Sequence, residues 1–126
     1  VATFELQPLV HFSLTNAEAS ADVEAGMAVS YLGKKLASGE DEKFAGIAKF
    51  TAEAGEAITL QHGIVEVQVT GTGSANAQLI QGATAGKLAA SAGTTVLVLG
   101  FALEAWTAAA TIRAFIFPSP RRPALT

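Results

Sequence analysis

No cysteine occurs in the 126 residues. That excludes a disulfide framework, a thiolate metal site and a cysteine nucleophile, and a reducing compartment suits such a chain. Histidine is almost absent: His11 and His62 stand alone, outside any His-x-x-x-His spacing, and both read as surface or turn residues rather than ligands or bases. Charged residues make up only 15% of the chain, too few and too acidic for a nucleic-acid footprint. Long apolar runs are missing as well. The longest, Val96 to Leu103, falls far short of the roughly 18–20 residues of a membrane span, and no signal-peptide pattern appears. Neither a membrane nor a nucleic acid is expected as a partner.

What is present is small and apolar. Alanine (26 residues) and glycine (12) dominate. Alanine favours helix, but glycine recurs so often that few windows hold three helical turns. Short runs of β-branched residues lie between the glycines. The chain therefore reads as mainly β, one domain, with enough length to bury a core without staples. Its charge is two-ended. Residues 1–66 carry ten acids and four lysines, a net −6, whereas residues 67–126 carry one acid and four bases, a net +3. Such a distribution orients a protein on a partner or on copies of itself, or is simply a solvated acidic face.

The organising stretch runs from Glu40 to Val69. The acidic cluster Glu40-Asp41-Glu42 opens it. A strand interrupted by Gly46 follows, then an Ala/Gly/Glu turn, a second strand at Ala57 to Leu60, and a third opened by Gly63. Val65, Val67 and Val69 alternate with Glu66 and Gln68, the period of a half-buried strand. The whole reads as a β-meander. Part of it recurs: Gly46-x-Ala48, a turn and Ile58 match Gly100-x-Ala102, a turn and Ile112 at one constant offset, so two related strand–turn–strand units are expected.

Around this stretch, residues 1–14 form an apolar extended segment carrying Phe4, Leu6, Leu9, Val10 and Phe12. Pro8 restricts it to an edge, either as a first strand or as an arm that adds to a neighbour's sheet. Residues 16–25 suit one short helix capped by Thr15 or Asn16. Residues 27–32, 77–80, 87–90, 95–103 and 111–117 read as strands, with 95–103 central. Residues 15–117 are thus a β-barrel domain, and residues 118–126, rich in Pro and Arg, an exposed tail.

Catalytic patterns are weak. The Glu40–Glu42 cluster lacks the glycine and closing glutamate of a calcium loop. Gly71-x-Gly73 has no third glycine, and no Gly-x-Ser-x-Gly elbow occurs. Lys43 is acid-flanked, as in swinging-arm carrier domains, but without their Asp-Lys-Ala or Met-Lys-Met context. No enzymatic activity, cofactor or metal is expected. Trp106, the single tryptophan, lies in a turn and is either a barrel cap or a subunit-interface residue; Tyr31 is the second candidate for an interface.

The order of Phe44-Ala45-Gly46-Ile47-Ala48, Ala54-Gly55-Glu56-Ala57-Ile58-Thr59-Leu60, Gly63-Ile64-Val65-Glu66-Val67 and Leu99-Gly100-Phe101-Ala102-Leu103-Glu104-Ala105 resembles the capsid decoration (cement) proteins of tailed bacteriophages. The resemblance covers about residues 26–117. It implies a small β-barrel or β-tulip domain on the outer surface of a phage head, commonly a trimer, with the major capsid protein as partner. It implies for Phe4, Leu6, Leu9, Val10 and Phe12 a capsid-binding role, as an arm. The rival reading is a virion- or cell-surface attachment domain that binds carbohydrate, for which Tyr31 and Trp106 are the candidate aromatics.

Overall fold

The structure, a computed structural model, describes residues 11–91 and 97–121. The expected arm residues Phe4, Leu6, Leu9 and Val10 lie outside the described residues. Among the described residues nine strands form two units: β1 (His11–Thr15), β2 (Ala28–Ser30), β3 (Phe44–Ala48) and β4 (Ala57–Gln61), then β5 (Gly63–Val69), β6 (Gln78–Gln81), β7 (Leu88–Ser91), β8 (Val98–Ala102) and β9 (Ala110–Arg121). The first four make an antiparallel sheet in the order β1-β4-β3-β2, and the last five close a barrel in the order β5-β7-β6-β8-β9. The mainly-β reading holds. The expected meander does not: β3 and β4 pair, but β5 leaves for the barrel. The break falls at Gly63, whose φ of 87° suits glycine.

Alternation decides the faces. Val65, Val67 and Val69 of β5 and Ile112, Ala114 and Ile116 of β9 point into the barrel, where Leu79, Leu88, Leu99 and Ala102 join them. In the sheet, Val29, Ala48, Ile58 and Leu60 form a second core with Val23, Met27 and Ala52. The other face of the sheet carries Ala28 and Ile47, which belong to the barrel's core cluster. The two units therefore share buried surface.

The recurrence seen in the sequence is structural, and it reaches further than one hairpin. Ile47 and Ala48 pair with Gln61 and Leu60; fifty-four residues on, Phe101 and Ala102 pair with Phe115 and Ala114. Ala28 opposite Ile47 matches Gln78 opposite Phe101, and Leu14 opposite Ile58 matches Val67 opposite Ile112. Loop hydrogen bonds repeat too: Gly26 N–H to Ala48 O is matched by Asn76 N–H to Ala102 O, and Lys49 N–H to Thr59 O by Leu103 N–H to Arg113 O. Gly26 and Asn76 both have positive φ. Thus β1-β4-β3-β2 and β5-β9-β8-β6 are two copies of one four-stranded module. In the second copy β7 pairs with β6 and β5 and closes a barrel; in the first its counterpart is a single bridge from Lys35 to Val29.

Three expectations are corrected. Residues 16–25 form no helix. Asn16 is buried, and its side chain accepts from Glu18 N–H while donating to Ala21 O and Ala52 O. That is the first bond of a helix cap, but the side-chain amide and the Val23–Ala52 bridge commit the loop to the sheet. Residues 118–121 are not a tail: β9 runs through Pro118 and Pro120 to Arg121, opposite Val98. Between the pairs Gly100–Ile116 and Val98–Arg121, β8 advances by two residues and β9 by five. The prolines sit in this bulge, where the missing N–H groups break no ladder. Residues 11–14, placed in the arm, belong to β1 and pair with β4, with Phe12 opposite Leu60.

Candidate interaction surfaces

Trp106 is 4% exposed and lies in the barrel core. Its Nε1–H donates to Thr70 O at 3.0 Å, and its backbone exchanges hydrogen bonds with Gly73. A Cβ at Gly73 would overlap the indole, so the glycine is what lets the ring close the barrel mouth. This is the cap arrangement of the two weighed from sequence. Tyr31 is 57% exposed, beside Leu32 at 56%, on the turn after β2.

His62 is buried rather than on the surface, at the seam between sheet and barrel. Its Nε2–H donates to Ala45 O at 2.6 Å, and Phe44 packs edge-on against the ring. The acidic cluster forms one 3-10 turn, Asp41–Lys43. Asp41 is half-buried and accepts from Gln81 N–H at 2.9 Å, tying the first module to the second. Burial holds its carboxyl above the ordinary aspartate value, against the opposing pull of that bond. Lys43 Nζ donates to Glu40 at 3.0 Å, which raises the lysine's pKa and lowers that of Glu40. Lys43 thus closes a short turn and does not stand at a hairpin tip. Among the described residues no three His, Asp or Glu side chains converge as a metal site would need.

Sequence reasoning missed a face of the barrel. Because Ile112, Ala114 and Ile116 point inward, Phe115 and Phe117 point outward, and Phe101 of β8 joins them. Phe101 and Phe115 stack with centroids 5.5 Å apart, and Phe117 lies 6.2 and 6.0 Å from them. The register extends the row across β5: Ile64 is opposite Phe115, which is opposite Phe101. Ile64 is 65% exposed, and Leu103 is exposed nearby on the loop after β8. The available signal was that 111–117 carries apolar residues at both parities, so a strand with one buried face must show the others. Ile64 also borders a cleft of about 510 Å³ between sheet and barrel, lined by Lys49, Gln61, Glu66, Thr111 and Arg113. Arg113 Nε lies 3.5 Å from Glu104, a loose pair.

The described surface thus carries exposed apolar side chains at Tyr31–Leu32, at Phe50 and at Ile64 beside the half-buried phenylalanines, together with the edge strand β1 and the polar cleft next to Ile64. No protein-family model and no curated protein matches the sequence. Among solved structures, the chain is similar to the head fiber gp8.5 N base of bacteriophage phi29, with a TM-score of 0.64 at 14% identity. The match covers 90% of this chain and 98% of that one. At that identity the likeness is one of fold.

Proposed function

We propose that this protein is a non-enzymatic structural component of a phage head, which binds the outer surface of the shell, contacts the major capsid protein and stabilises the expanded lattice as a homotrimer. The observation that carries the reading is the fold likeness to a phage head fiber base over nearly the whole chain. The strand-and-glycine pattern of residues 26–117 leads to the same class on separate grounds.

The mechanism is added interface. Packaged DNA loads the joints between capsomers. A protein that binds only the expanded lattice stabilises it by mass action, and several weak contacts per oligomer combine into high avidity. Residues 1–10, with Phe4, Leu6, Leu9 and Val10, are the candidate capsid-binding arm, and they run directly into edge strand β1. The edge of β1 is where strand addition to the shell would begin. The carbohydrate-binding reading is weaker, because Trp106, one of its two candidate aromatics, lies inside the barrel.

The test is co-sedimentation of the purified chain with expanded heads and with procapsids. Binding to expanded heads alone, with DNA retained to a higher temperature, is the expected result. Equal binding to both, or to neither, would sink the reading.

A further inference from the structure

We propose that the cleft between sheet and barrel is a strand-addition groove, which takes an extended polypeptide segment of a partner protein onto the open edge of β5 at Ile64 and Glu66. The proposal names a way of binding and not the partner, so it stands apart from the head reading.

The backbone of β5 carries the argument. In an antiparallel ladder the N–H and C=O of one residue point to the same side, and successive residues alternate. On β9, Arg113 O accepts from Leu103 N–H, so the main-chain groups of Arg113 point to the β8 side and those of Ile112 and Ala114 point to β5. Their partners Val67 and Val65 point back to β9. The main-chain groups of Ile64, Glu66, Gln68 and Thr70 therefore point away from β9. Their hydrogen bonds agree: Gln68 N–H donates to Gly26 O, and Thr70 N–H donates to Leu88 O.

That outward row is filled at one end. Thr70 is met by β7, which pairs with β5 at Val69, and Gln68 is met by the loop before β2. Among the described residues no backbone hydrogen bond reaches Ile64 or Glu66 from that side. The cleft of about 510 Å³ opens there, and its lining includes Ile64, Val65 and Glu66 in succession. The Val65 side chain belongs to the barrel core, so Val65 borders the cleft through its main chain. Ala25, Gly26 and Ala48 line it too, and with so little side chain they leave room beside the strand.

The chemistry of the slot selects its occupant. Donors and acceptors that recur every second residue, about 6.8 Å apart, match another extended main chain. The side chains along the edge alternate in kind. Ile64 is largely exposed and stands opposite Phe115, which stacks on Phe101. Glu66 stands opposite Arg113, with Lys49 and Gln61 also on the lining. The segment that fits carries an apolar residue beside Ile64 and a polar one two positions along, beside Glu66. Charged side chains around an open edge guard it against indiscriminate pairing, which leaves the Ile64 end as the anchor.

The test uses the full-length chain and a displayed library of random dodecapeptides. Binders are expected, and in NMR titrations they are expected to slow amide exchange at Ile64 and Glu66. Glu66→Pro removes an outward N–H and no ladder bond, since proline is tolerated on an open edge; melting curves establish that it folds. It is expected to bind those peptides at least tenfold more weakly than Glu66→Ala, about 1.4 kcal/mol. Equal binding by the two variants means that side chains alone hold the peptide, and overturns the proposal. A library that yields no binder overturns it as well. Exchange slowed at Ser13 and Thr15 in place of Ile64 and Glu66 moves the site to β1 and has the same effect. Slow exchange at Ile64 and Glu66 without peptide, lost on dilution, means that a second copy fills the slot, and the proposal fails. If Glu66→Pro does not fold, the exchange measurement on the wild-type chain decides. Co-sedimentation with heads tests the head reading separately, whichever way the peptides turn out.

Discussion

Trp106 and Gly73 act as one unit. The indole closes the barrel mouth only because position 73 has no Cβ, and Nε1–H is satisfied by Thr70 O. Trp106→Ala is expected to cost about 3–5 kcal/mol, the usual loss for a large buried aromatic. Gly73→Ala is expected to cost roughly 1–3 kcal/mol through overpacking. In the Trp106→Ala background the second change should cost little, because the overlapping ring is gone. Denaturant melts of the two single variants and the double variant measure that coupling; strict additivity would show that the two residues are independent. Asp41 sets a pH dependence. Burial raises its folded-state pKa, so the folded state holds the proton more tightly than the unfolded chain does. The stability this gives is fully present below the ordinary aspartate range and is lost as pH rises through the raised value. Asp41→Asn keeps an acceptor for Gln81 N–H and has no charge to bury. It is expected to match wild type in acid and to melt higher than wild type once pH has passed that value. Glu40, whose pKa is lowered by Lys43, contributes in the opposite direction and is common to both proteins.

At the scale of elements, β1 separates fold from binding. Residues 11–15 pair with β4 along its whole length. Removing residues 1–10 is therefore expected to leave the melting temperature nearly unchanged while weakening head binding tenfold or more, about 1.4 kcal/mol. Removing residues 1–15 is expected to unfold the first sheet, since Ile58 and Leu60 lose their covering strand. Equal head binding by the shorter truncation and the full chain would mean that residues 1–10 are no arm. The β6–β7 loop has a different anchor. Gln81 Nε2 donates to Gly82 O, Thr84 O and Lys87 O at 3.0, 2.7 and 3.0 Å. Gln81→Glu replaces that donor with an acceptor against three carbonyls and is expected to cost about 1–3 kcal/mol, the penalty for buried unsatisfied groups. Circular dichroism melts check it.

For the whole molecule, duplication explains both the architecture and its asymmetry. Two modules of one pattern face the same way, so one outer face is covered by the other module and one is left for something else. On the proposed reading, attachment to a phage head uses that remainder, and thermal release of DNA from heads with and without the protein measures it.

The sequence by itself determined the class and much of the local order. Val65, Val67 and Val69 alternate because a strand has a period of two, and glycine spacing denied helices their length. The repeated Gly-x-Ala hairpin was legible because Gly46 and Gly100 sit where a Cβ would crowd the partner strand. Tertiary structure alone decided the rest. Periodicity says that a strand has two faces but not which one finds a partner, so it does not place Phe101 and Phe115 on the outward face. It also cannot say whether a strand stays in the sheet of its neighbour, and β5 does not. Asn16 offered a helix cap, and long-range bonds to Ala52 and Glu56 overrode it. Pro118 and Pro120 signalled a tail, and a bulge in β9 absorbed them. In each case a local preference of about a kilocalorie per mole was outweighed by burial and pairing with residues far along the chain.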